Sequence, residues 1–99
     1  MSTVIGISIF ELHIPASKSL KDKRRVVRSL IERIRHRHRL SIIESNFHDL
    51  HQRSEIALAV VARSDLDLEQ IFERIRRLLE DETQCELTRW EPQFLSSQG

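Results

Sequence analysis

The amino-acid sequence predicts an α+β fold with the element order β-α-β-β-α-β, and three observations carry that reading. Two long segments repeat apolar residues with the 3.6-residue period of an amphipathic helix. Four shorter segments are rich in the β-branched and aromatic residues of strands. Only two glycines and two prolines are present, so the connections between elements must be short.

Val4 to Ile14 reads as the first strand, stopped by Pro15. Its apolar positions change frame: Ile5, Ile7 and Ile9 share one face, and Phe10, Leu12 and Ile14 share the other. Either a bulge lies between the two sets or both faces are covered. Ser19 has the position of an N-cap, with Asp22 three residues on in a capping-box arrangement. The first helix then runs from Leu20 to about Arg37, with Leu20, Val26, Val27, Leu30, Ile31 and Ile34 as its apolar stripe. Leu40 to Phe47 is the second strand, and the polar stretch His48 to Ser54 is a hairpin loop. In Glu55 to Ala62, the third strand, nearly every position is apolar. That pattern predicts a central strand covered on both faces. Ser64 or Asp65 caps a second helix, whose buried stripe is Leu68, Ile71, Phe72, Ile75, Leu78 and Leu79. Glu86 to about Trp90 is a short last strand that Pro92 helps to end.

The two halves share one strand-helix-strand plan. Right-handed crossovers then give an antiparallel sheet in the order 4-1-3-2 with both helices on one face, a ferredoxin-like split β-α-β sandwich. Ninety-nine residues suit one such domain, here residues 1–95, followed by a flexible tail at 96–99. Cys85 is the sole cysteine, so no internal disulfide or cysteine metal cluster can form, and a reducing compartment is the simplest setting. Met1 to Val4 lack the features of a secretory signal, and no apolar run has the length of a membrane span. The expected location is the cytoplasm.

Three stretches together carry a family resemblance. They are His13-Ile14-Pro15, Ser17-Lys18-Ser19-Leu20-Lys21-Asp22-Lys23-Arg24-Arg25-Val26-Val27, and Asp49-Leu50-His51-Gln52-Arg53-Ser54-Glu55. They resemble the YlxP-like family of small bacterial proteins, which carries a "domain of unknown function" label, and the likeness spans roughly Val4 to Leu87. The resemblance implies a ferredoxin-like fold. The family's gene neighbours, concerned with antitermination, translation initiation and ribosome maturation, imply a role near RNA or the ribosome. No catalytic activity is implied. This chain departs from its relatives at Asn46 and Phe47, where they often carry an acidic residue followed by histidine.

A net charge of +1 hides a strong asymmetry. Residues 17–39 hold ten Lys or Arg and two acids, a net +8, while the rest of the chain holds six basic and thirteen acidic residues, a net −7. On a helical wheel Lys21, Arg24, Arg25, Arg28, Arg35 and Arg39 fall in one sector, interrupted only by Glu32. Like charges three and four apart repel by a few tenths of a kcal/mol per pair. A polyanion such as RNA would relieve that repulsion, with binding that weakens steeply in salt. The competing reading is a solvated face, or arginines paired with the acids of the second helix. RNA-recognition motifs share this topology but stack bases on aromatics of the central strands. Here the third strand has no aromatic residue and the first has only Phe10, so the basic helix is the expected RNA surface.

Two further surfaces follow from the topology. If Phe10, Leu12 and Ile14 face the helices, then Ile5, Ile7 and Ile9 approach the open sheet face, which predicts a homodimer through the sheets. A local bulge that turns them inward is the alternative. At one end of the sandwich the topology gathers Glu11, His13, Ser17, Lys18, Ser19, Lys21, Asp49, His51, Gln52 and Arg53. Of these, His13, Lys18, Ser19, Lys21, Asp49, Gln52 and Arg53 are the candidates for an anion site at the helix start. A purely structural network of ion pairs is the competing reading. The five histidines do not supply three metal ligands: His48 and His51 lie in a loop, and His36 and His38 diverge on a helix. No metal or cofactor is expected.

The leading expectation is therefore a non-enzymatic RNA- or ribosome-associated accessory protein that binds polyanion through its first helix. The alternative is a homodimeric small-anion-binding or regulatory domain with its site at that helix's N-terminus. A small enzyme using His13 with Glu11 or Asp49 ranks last, because no partnered nucleophile is evident.

Overall fold

In the computed structural model, residues 3–96 are described. The chain runs β1 (Val4–His13), α1 (Leu20–Arg37), β2 (Ser41–Asn46), β3 (Arg53–Ala62), α2 (Asp65–Glu80) and β4 (Glu86–Ser96). The four strands form one antiparallel sheet in the order β2-β3-β1-β4, the ferredoxin-like arrangement, with both helices on the same face. Of the expected tail, Ser96 ends β4, and residues 97–99 lie outside the described residues.

β1 contains no frame shift. Val4, Gly6, Ser8, Phe10 and Leu12 all point into the helix-covered core, and Ile14 continues the set. The odd-numbered isoleucines occupy the other face along the whole strand. The apparent change of frame arises because Gly6 and Ser8 leave the buried side without a large apolar residue in its first half. Gly6 is small for a reason: a Cβ there would run into the Phe72 ring and come within 2.7 Å of Leu68 Cδ1. Ser8 is fully buried, and its Oγ is the buried side-chain polar atom among the described residues that lacks a partner. An unpaired hydroxyl in the core is unfavourable. Ser8→Ala is expected to raise stability by about 1 kcal/mol, read as a higher urea midpoint at unchanged slope.

β4 is longer than the sequence pattern suggests. It continues through Pro92 to Ser96, paired with β1 throughout. Two facts explain this. β4 is an edge strand, where a residue without an N–H is tolerated. Beyond the proline, Phe94 stacks on Phe72 with ring centroids 5.5 Å apart, and Trp90 packs on both Phe10 and Phe72. Those contacts hold the extended end against α2.

Both edge strands carry an extra residue. In β4 the register shifts between Glu11 and Leu12, leaving Thr88 outside the pairing, and its Oγ1 donates to Glu11 O at 3.2 Å. In β2 the shift leaves Ser45 unpaired opposite Glu55, and its Oγ donates to Glu55 Oε1 at 2.8 Å. β3 is central, as expected, but it is covered on one face only. Ile56, Leu58 and Val60 are buried, whereas Ala59 and Val61 are exposed. Its continuous apolar run reflects a sheet whose second face is also apolar. Cys85 is buried, and its thiol is pushed up to about 11, chiefly by that burial.

Candidate nucleic-acid interface

Helix α1 starts at the expected cap. Ser19 is extended, and its Oγ accepts from Asp22 N at 3.1 Å. The Asp22 carboxylate reaches back one residue further than a capping box would, accepting from Lys18 N at 3.2 Å. The helix buries Lys23, Val27, Leu30 and Ile34 against the sheet. On its outer side Lys21, Arg24, Arg25, Arg28, Ser29 and Glu32 line a shallow groove of about 700 Å³.

Lys21, Arg24, Arg25 and Arg28 are exposed, and among the described residues their side chains have no carboxylate partner and no hydrogen bond. Their neighbours are differently placed. Arg35 pairs with Glu32 at 3.0 Å and donates to Ile42 O at 3.2 Å, so it is tied to its own helix and to β2. Arg39 lies beyond the helix, which ends at Arg37 with His38 as its C-cap. Wheel geometry does not extend to Arg39, and the expected six-residue sector is a four-residue cluster with Arg35 alongside. Arg33 pairs with Glu82, whose carboxyl is held below the usual range by that hydrogen bond despite its burial. Of the acids of α2, Glu73 pairs with Arg77 and Glu80 with Arg76, both within that helix. Of the ten cations in residues 17–39, three are paired with carboxylates among the described residues: Lys23, Arg33 and Arg35.

Lys23 has a role that the sequence reading did not isolate. It is 0% exposed. Its Nζ donates to Glu44 Oε2 at 2.9 Å and to Phe47 O at 2.8 Å, and it lies 3.5 Å from His48 O and 3.4 Å from Arg53 O. Ser54 Oγ donates to the same Glu44 oxygen at 2.6 Å. A single ammonium thus ties α1 to the loop between β2 and β3. The signal was on the wheel: Lys23 falls within the buried stripe, one turn before Val27. Phe47, the first residue of this loop, has φ of 64°, a left-handed conformation that is strained for an aromatic residue. It is held by Lys23 on its carbonyl and by the Arg53 guanidinium 4.0 Å over its ring.

The candidate anion residues divide between two layers. His13 and Arg53 are register partners on the open sheet face; Lys18, Ser19 and Lys21 belong to the helix layer. Arg53 pairs with Glu11 at 3.2 Å, and His13 Nδ1 lies 3.5 Å from Glu86 Oε2. Gln52 donates through Nε2 to Pro15 O and Ser17 O at 3.2 Å each, and its own carbonyl accepts from Ile14 N at 2.8 Å. Ser19 is occupied as the cap. Asp49, Lys18 and Lys21 are exposed at the periphery. At the far end of α1, Arg37, His38, Arg74, Arg77, Leu78 and Asp81 line a smaller cleft of about 390 Å³. Burial, then Arg74 and Arg37, lowers the His38 pKa. Among the described residues no three His, Cys, Asp or Glu side chains are grouped to hold a metal ion. No described helix is long and apolar enough to cross a membrane.

The open sheet face carries Ile5, Ile9, Ile43, Val61 and Leu95 exposed on one surface, with 39% to 65% of each accessible. Strand register sets Ile5 between Val61 and Leu95, and Ile9 and Ile43 flank Ala57. Ile7 is half-buried beside Ala59.

A family model described as "Protein of unknown function (DUF503)" matches residues 5–92. The chain is also similar to a protein of Bacillus subtilis (strain 168), "Uncharacterized protein YlxP". The two are 28% identical over 85 residues, covering 86% of this chain and 92% of that one.

Proposed function

Since this chain belongs to the DUF503 family, whose description records no activity, we propose its function from its charge layout: it is a non-enzymatic RNA- or ribosome-associated accessory protein of the cytoplasm. It binds polyanion along α1 and works as a homodimer through its open sheet face. One observation carries the binding surface. Lys21, Arg24, Arg25 and Arg28 stand together over two helical turns, and no described carboxylate pairs with them. Such a cluster is self-repelling until phosphates approach it. The gene neighbours implied by the YlxP-like resemblance agree with this choice of polyanion. A small-anion site at the start of α1 has less support, because the Asp22 carboxylate already occupies that terminus and Gln52, Arg53 and Ser19 have partners within the chain.

Fluorescence anisotropy with a short single-stranded RNA tests the reading. About four phosphate contacts give a slope of log K against log salt near −3. Charge reversal of Arg24, Arg25 and Arg28 to Glu is expected to weaken binding roughly fifty-fold or more and to flatten that slope. All three side chains are exposed, so the fold, checked by circular dichroism, is expected to persist. Unchanged affinity in a folded variant refutes the assignment.

A further inference from the structure

We propose that two copies pack open sheet against open sheet and that the resulting dimer turns its two α1 basic faces outward in opposite directions, so that one dimer holds two separate RNA segments. The two-sided display rests on the polyanion reading of α1; the pairing does not. Ile5, Ile9, Ile43, Val61 and Leu95 form a contiguous apolar surface over all four strands. Surfaces of this kind on a small domain are normally covered.

The chemistry of the face selects its occupant. The aromatic side chains of β1 and β4, Phe10, Trp90 and Phe94, all belong to the helix-facing side, which leaves the His13 imidazole at one end of β1, beside the Glu86 carboxylate, as the ring these two strands offer on the open face. Its charged border holds two neutralised pairs, Arg53 with Glu11 and Arg89 with Glu91, and the Glu55 carboxylate, which accepts from Ser45 Oγ. That border is slightly acidic, the opposite of the basic rim that anionic lipid requires, and a single carboxylate per copy beyond the pairs is a weak field against a second copy. Four strands about 4.8 Å apart and seven or so residues long offer roughly 500 Å² per copy, hence about 1,000 Å² for a pair. This reaches the lower bound for a specific interface and fits a dimer of modest affinity. Two sheets joined this way lie about 10 Å apart with their helices on the outside, which puts the two α1 axes roughly 30 Å apart.

Sedimentation velocity and a bridging assay together test the proposal. The wild-type chain is expected to sediment as a dimer at high micromolar concentration. Ile43→Glu and Val61→Lys, each at an exposed position and so compatible with folding, are each expected to weaken dimerisation roughly thirty-fold. In the second assay, an immobilised RNA oligonucleotide retains the protein, and a labelled second oligonucleotide is then added. Wild type is expected to capture the second strand. The Ile43→Glu variant is expected to bind the first strand with unchanged single-site affinity and to capture under a tenth as much of the second. A wild-type monomer at high concentration overturns the pairing. A dimer that retains the first strand but never the second overturns the opposed display. A dimer that retains no RNA at all refutes the polyanion reading, and the display with it, while the sheet pairing stands.

Discussion

Lys23→Ala is expected to destabilise the fold by about 3–5 kcal/mol, the cost of leaving a buried charge without its counter-ion. The ammonium is fully enclosed, and it neutralises Glu44 while satisfying the carbonyl of Phe47. Removing it leaves the Glu44 carboxylate with Ser54 as its remaining side-chain donor. It also releases the strained Phe47 turn that its hydrogen bond helps to hold. Urea denaturation followed by Trp90 fluorescence measures the loss. A loss of this size is a large fraction of the stability of a small domain, and the variant is expected to be partly unfolded at 37 °C. Lys23→Met combined with Glu44→Gln removes both charges and keeps the volume, so it is expected to recover much of the loss. A Lys23→Ala protein within 1 kcal/mol of wild type would show that this lysine holds nothing together.

Gly6→Ala is expected to cost about 3 kcal/mol, the upper range for overpacking a core. The new methyl group meets the Phe72 ring and Leu68, both of which are buried on the sheet-facing side of α2. Phe72 is also stacked on Phe94 and meets Trp90 edge-on, so moving it disturbs the contacts that hold the end of β4. Thermal unfolding is the readout. Adding Phe72→Leu, which removes the colliding ring atoms, is expected to restore part of the loss, so that the double variant is more stable than the sum of its single changes implies. Strict additivity of the two changes would exclude the proposed collision.

What the sequence revealed depended on how local each cause was. The bounds of α1, Leu20 to Arg37, were legible because Ser19 and the 3.6-residue stripe act within a few residues. The continuation of β4 past Pro92 was not legible. A proline stops a strand or spares it according to whether the strand is at an edge, and that is a property of the whole sheet. Lys23 entered the sequence reading as one contributor to the +8 total, and its buried pairing was not legible because its acceptors, at positions 44 and 47, come from a distant hairpin. The four-residue basic cluster was visible on the wheel, whereas the capture of Arg35 by Ile42 O depended on where β2 packs. Ile5, Ile7 and Ile9 were correctly placed on a common face, but only the buried positions of Gly6 and Ser8 show that the strand keeps one frame.

The irregular residues on the outer strands have a consequence for crowded conditions. Ser45 interrupts one rim of the sheet; Thr88 and Pro92 interrupt the other. A lateral ribbon needs an unbroken row of backbone donors and acceptors at its margin, and neither margin supplies one. Even at high expression, this chain should resist growing sideways into fibrils.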